Sequence, residues 1–118
     1  MVSAKKNSYA TNVFVNCPFD EAYKPLFHAI VFTIHECGFV VRCALERSDA
    51  SELRVKKIYE LIESSKYGIH DLSRVDLDKS TNLPRFNMPL ELGIFLGAKF
   101  LGTAKQRSKN CLVFDEHP

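Results

Sequence analysis

Glu91 stands in the run Asn87-Met88-Pro89-Leu90-Glu91-Leu92-Gly93, a carboxylate among apolar neighbours in a stretch that continues Ile94, Phe95, Leu96. A carboxyl group in such a setting can be partly desolvated, which raises its pKa. At a helix start, the dipole and the free N–H groups oppose that shift by favouring the anion. Both protonation states are useful. The anion attacks or stabilises a cationic sugar centre, and the acid donates a proton. The plainer reading is a first-turn glutamate that only complements the helix dipole. Two further polar groupings bear on the same chemistry: Asn16-Cys17-Pro18-Phe19-Asp20 and His70-Asp71-Leu72-Ser73-Arg74. His70 reads first as a hydrogen-bonded structural histidine.

The elements around these groups can be read from periodicity. Asn12 to Cys17 is a short apolar run ended by Pro18, which suggests a strand covered on both faces. Lys24 to Cys37 reads as a helix with Phe27, Ile30, Val31 and Ile34 at helical spacing, Pro25 near its start and Gly38 as its stop. Phe39 to Leu45 is a second strand. Asp49 and Glu52 resemble a capping box for a helix to about Ser64, with Val55, Ile58 and Ile62 inward and Lys57 among the residues facing water. Lys66 to Leu72 is a third strand. Ser73 to Arg85 is a polar loop of a length that marks a functional or mobile segment. Asn87 can cap a helix to about Phe100 that carries Glu91 in its first turn. Its Gly93 and Gly97 lie on one face and would allow a close approach. Thr103 to Lys109 is a basic loop, with Lys99, Lys105, Arg107 and Lys109 as a solvated face. Cys111 to Phe114 is a fourth strand.

Strands alternating with helices predict an α/β fold, a flavodoxin-like open parallel sheet of about four strands with helices on both faces. Ligands in such sheets bind outside the carboxyl ends of the strands, where the polar groupings named above fall.

The chain has 118 residues, enough for one domain, with residues 1–10 as a flexible N-terminus and 11–118 as the folded unit. Sixteen basic against fourteen acidic side chains create no strong field, so composition gives no argument for DNA, RNA or an anionic membrane. No run approaches the roughly 20 apolar residues of a membrane span, and no apolar segment follows Lys5 and Lys6 as in a signal peptide. Cys17, Cys37, Cys43 and Cys111 lack zinc spacing and read as free, buried or half-buried thiols of a cytoplasmic protein. Neither a Gly-x-x-x-x-Gly-Lys-Ser/Thr nor a Gly-x-Gly-x-x-Gly motif is present, nor a Gly-x-Ser-x-Gly elbow. A phospho-receiver would place an aspartate where Asp71 stands. It would also want carboxylates, not Asn16-Cys17, at the end of the first strand to hold Mg²⁺.

The two runs from Gly68 to Arg74 and from Asn87 to Ala98 resemble the nucleoside 2-deoxyribosyltransferase and TIR-like superfamily. The shared features are an Asp-Leu-Ser strand end, an Asn ahead of a helix, and Glu-Leu-Gly on that helix. Val13 to Phe19 is similar to that superfamily's first strand and the loop that closes over a nucleoside. More narrowly, residues 11–115 resemble uncharacterised bacterial TIR-like nucleotide-binding proteins. The resemblance implies cleavage or transfer at the N-glycosidic bond of NAD⁺ or a nucleoside, with NAD⁺ as substrate and no resident cofactor or metal. It makes Glu91 the catalytic carboxylate. It has Asp71 and Ser73 bind the sugar or orient Glu91, Asn87 hold the ribose or cap the helix, and Asn16 and Phe19 lie over the base, with Cys17 beside them. It equally allows a non-catalytic module that binds a nucleotide signal or self-assembles, as in bacterial anti-phage defence. Folds of this type usually carry a fifth strand. A chain ending after the fourth is expected to continue beyond Pro118 or to present an edge that a partner copy covers.

Overall fold

The computed structural model describes residues 7–44, 54–73 and 87–115. Its elements, in chain order, are β1 (Asn12–Asn16), α1 (Lys24–Glu36), β2 (Val40–Arg42), α2 (Arg54–Glu63), β3 (Tyr67–Asp71), α3 (Asn87–Leu101), α4 (Ala104–Arg107) and β4 (Asn110–Phe114). The four strands form one parallel sheet in the order β2-β1-β3-β4. This is the flavodoxin-like α/β sheet expected from the alternation of elements.

β1 is buried along its whole length because both of its faces are covered. Successive strand side chains point to opposite faces. Val13, Val15 and Cys17 therefore pack with Tyr23, Ile30 and Ile34 under α1. Phe14 points the other way, into Ile58, Leu61 and Ile62 of α2 and Phe95 of α3. α1 ends in a Schellman motif: Gly38 takes φ 86°, its N–H reaches the His35 carbonyl, and the Phe39 N–H reaches Ile34.

Several expectations are corrected. β2 is three residues long, not seven. On α2, Leu61 is buried where Val55 was expected to be, and Val55 is exposed; Lys57 is buried although it was placed facing water. The proposed cap at Asp49 and Glu52 lies outside the described residues, as does the loop from Arg74 onward. Asn87 is itself helical in α3, so it does not flank the helix as a cap. A Cβ at Gly93 or Gly97 would meet nothing within 4 Å, so these glycines do not serve a close approach. The segment after α3 contains the one-turn helix α4.

Lys109 does not join a solvated face. Its side chain is 0 % exposed. Its Nζ donates to the carbonyls of Ile62 (2.7 Å) and Ser65 (2.5 Å), where α2 ends and carbonyls lose their helical partners. The ammonium also lies 5.0 Å from the ring centroids of both Tyr9 and Phe95. Cys17 and Cys43 are buried and Cys111 half-buried, but Cys37 is exposed, and all four are free thiols. Among the described residues no helix is long and apolar enough to cross a membrane. β4 forms one edge of the sheet, with Leu112, Val113 and Phe114 exposed.

Candidate functional site

The strand order reverses between β1 and β3: the chain leaves β1 towards β2 on one side and returns to β3 on the other. Such a switch point opens a crevice at the carboxyl ends of the two strands. Asn16 and His70 are cross-strand partners there, followed by Cys17 and Asp71.

Asp71 is held on both oxygens. The Tyr23 hydroxyl donates to Oδ2 at 2.5 Å. The Ser73 N–H (2.8 Å) and Oγ–H (2.5 Å) donate to Oδ1, an Asx-turn that folds the chain back at the strand end. Tyr23 precedes α1 and is itself buried; its N–H donates to Asp20 Oδ1 at 2.9 Å. Asp20, Tyr23, Asp71 and Ser73 thus form one chain of hydrogen bonds from the loop after β1 to the end of β3.

Asn16 makes a second link. Its Nδ2 meets His70 Nδ1 at 2.9 Å and donates to the Met88 carbonyl, in the first turn of α3, at 2.8 Å. An amide nitrogen has two protons. One goes to Met88, and the other must go to His70, so Nδ1 is the acceptor and the ring carries its proton on Nε2. His70 is fully buried, and burial pulls its pKa down to about 4, keeping the ring neutral. Its Nε2 has no hydrogen-bond partner and lies among apolar groups, with the ring edge-to-face on Phe95 at 5.0 Å. Gly68 makes room for that ring: a Cβ there would fall 2.7 Å from Nε2.

Glu91 is 7 % exposed and lies on the inward stripe of α3 with Met88 and Phe95. Spacings of three and four place these residues on one helix face. Burial pushes the Cys17 thiol up to about 12, with further upward contributions from Cys43, Asp71, Glu91 and Asp20. Cys17 is therefore a protonated thiol at neutral pH and no nucleophile.

Of the residues singled out from the sequence, Asn16, Cys17, Asp71, Ser73 and Glu91 come together at this edge. Phe19 and Asn87 are exposed. Phe19 stacks edge-on against Phe27 at 5.5 Å and lines a separate recess of ≈ 320 Å³ with Asp20, Lys24 and His28. The amide nitrogen of Asn16 is turned inward and spent on the protein's own groups, which leaves it no N–H for a base. Tyr23 was missed: 48 residues separate it from Asp71, and a tyrosine ahead of a helix carries no signal of a partner that far away. Among the described residues no group of three His, Cys, Asp or Glu side chains is arranged to hold a metal ion.

Comparison with known proteins leaves the argument with the residues themselves: no family model, no curated protein and no solved structure matches the chain.

Proposed function

We propose that the chain is a TIR-like nucleotide-binding domain that cleaves or transfers at the N-glycosidic bond of NAD⁺ or a nucleoside, with Glu91 as the catalytic carboxylate. The observation that carries this reading is the position of Glu91. It is buried on the inward stripe of α3, three residues after Met88, whose carbonyl is bonded to Asn16 at the carboxyl end of β1. Departure of a base from a ribosyl carbon leaves an oxocarbenium-like centre. A carboxylate lowers the energy of that centre, or bonds to it, more effectively in a water-poor setting than in bulk solvent. Asp71 is spoken for by Tyr23 and Ser73, so its part is to hold the loop ends that frame the site. The Ser73 hydroxyl, which donates to Asp71, keeps lone pairs that can accept from a sugar hydroxyl.

The test is release of free base from NAD⁺ and, separately, from deoxynucleosides. Wild type should release base, and Glu91→Gln should do so about 10²-fold or more slowly, the scale of a lost catalytic carboxyl group. Equal rates for the two proteins would remove the enzyme reading.

One observation favours a second reading, a non-catalytic module that binds a nucleotide signal and self-assembles. Edge strand β4 exposes Leu112, Val113 and Phe114 together, and exposed apolar edges are templates for pairing. Calorimetric titration with NAD⁺, ADP-ribose and cyclic nucleotides, with sedimentation of each mixture, separates the readings. Saturable binding with assembly and no turnover supports the second.

A further inference from the structure

We infer that His70 is a positioning residue that brackets Glu91, reaching the turn before it through Asn16 and the turn after it through Phe95. This deepens the proposal that Glu91 is catalytic and rests on it for its functional consequence.

The argument starts from α3. Met88, Glu91 and Phe95 are its buried residues, successive points on one stripe. His70 touches both flanks of that stripe. Its ring packs edge-to-face on Phe95 at 5.0 Å. Its Nδ1 accepts one proton of the Asn16 amide, whose other proton is held by the Met88 carbonyl at 2.8 Å. The Asn16 amide is thus a fixed bridge between a strand and a helix. It can donate in both directions only while His70 is neutral and presents a bare Nδ1. The Nε2–H tautomer is the one that does so. The Asn16 amide itself selects it, and the ring sits between Phe14 and Phe95, with no hydrogen-bond partner for Nε2 among the described residues. Both ends of the bridge rest on rigid sheet: Asn16 and His70 are register partners in β1 and β3. Sliding α3 along its axis, or rolling it, breaks the Met88 bond or the Phe95 contact. Glu91 lies between those two points, so neither motion can carry it away without cost. Misplacement of a catalytic group by about 1 Å can cost about 10²-fold in rate.

The experiment has an arm that does not depend on activity. ¹⁵N NMR of wild type at neutral pH should show His70 with Nε2 protonated and Nδ1 as a hydrogen-bonded acceptor. In Asn16→Leu the Nδ1 resonance should move to that of a free acceptor, and the backbone amide signals of Glu91 and Leu92 should shift. His70→Asn places a carbonyl oxygen near the position of Nδ1 but gives up the Phe95 contact, so it should shift those amide signals less than Asn16→Leu does. His70→Gln moves the acceptor one bond further out and should shift them, so it serves where Asn16→Leu does not fold. In the base-release assay, Asn16→Leu and His70→Gln should lose about tenfold or more in kcat with KM within about twofold, and His70→Asn, which keeps the Asn16 arm alone, should lose less. A protonated Nδ1 in wild type, or Glu91 and Leu92 amides unmoved in both Asn16→Leu and His70→Gln, overturns the inference. Absence of base release from wild type alongside the expected NMR changes overturns the catalytic reading of Glu91 and leaves the bracket standing.

Discussion

Buried polar groups gather at both ends of the parallel sheet, and the two ends use them differently. At the amino-terminal end, Asn12 and Lys109 direct their donors mostly at main-chain carbonyls: Asn12 to Ser64, besides the Asn7 side chain, and Lys109 to Ile62 and Ser65. They lie where α2 stops and runs short of its own N–H donors, the Ile62 carbonyl keeping one bond from the Ser65 N–H. The buried polarity there closes a helix onto a sheet. At the carboxyl-terminal end, polar side chains mostly hold other side chains: Tyr23 and Ser73 hold Asp71, and Asn16 holds His70. Satisfying a carbonyl needs one donor and can be done by any long cation or amide. Fixing a carboxylate or an imidazole in one orientation takes several partners at once, and that outlay belongs to a place where orientation matters. Burial alone does not distinguish the two ends; the destination of each hydrogen bond does.

The comparison can be broken most directly at Lys109. Lys109→Met keeps the aliphatic bulk and removes both donors. Each hydrogen bond from a charged donor is worth about 1.5–3 kcal/mol, so losing two should show as about 4 kcal/mol in urea unfolding. Nucleotide binding at the other end should be unchanged in whatever fraction remains folded. A loss of binding at full folding would mean the two ends are coupled.

The next effect is the acid limb of stability. His70 titrates near 6.5 when unfolded and at about 4 when folded. Between those values the unfolded chain takes up a proton that the folded chain refuses, so stability falls as pH drops from 6.5 to 4 and this contribution levels off below 4. At 1.36 kcal/mol per pKa unit the contribution is about 3 kcal/mol. Urea midpoints measured across that range should lose this part of their slope in His70→Asn. An unchanged slope would show that His70 is not held neutral.

Tyr23→Phe removes the hydroxyl from Asp71 and should cost about 2 kcal/mol, the value of a hydrogen bond to a charged group, with the melting temperature lowered accordingly. It should also weaken ligand binding, which Lys109→Met should not, and that contrast sharpens the division between the ends. The smallest change lies outside both. Gly93 faces open space on α3, so Gly93→Ala should raise stability by about 1 kcal/mol through helix propensity alone.

Much of this was legible in the residues, and what was hidden has specific causes. Strand β1 announced itself through Val13-Phe14-Val15, because full burial on both faces leaves no polar alternation. Helix α1 did so through the spacing of Ile30 and Ile34 and through Gly38. The end of α2 near Ser64 was legible, but what closes it was not, because its partner is Lys109, 44 residues beyond the Ser65 carbonyl that it meets. A lysine in a basic stretch looks solvated until tertiary contact pulls one of its neighbours inward and leaves the rest out. Gly93 and Gly97 misled for the converse reason: their spacing permits close packing, but nothing among the described residues packs there.

The site divides in the same way. Local patterning suffices to place Asn16, Asp71 and Glu91 at the carboxyl edge of an α/β sheet, since strand and helix periods and the handedness of crossovers are properties of short stretches. The sequence by itself therefore determined the fold class, the strand count and the edge at which the polar groups gather. Tertiary structure alone decided which of them face one another. It turned the Asn16 amide inward to His70 and Met88, paired Asp71 with Tyr23, left Phe19 and Asn87 at the surface, and set Glu91 between Met88 and Phe95. Hydrogen bonds across 48 to 72 residues depend on the register of strands and the seating of α3, and no short stretch of chain encodes either.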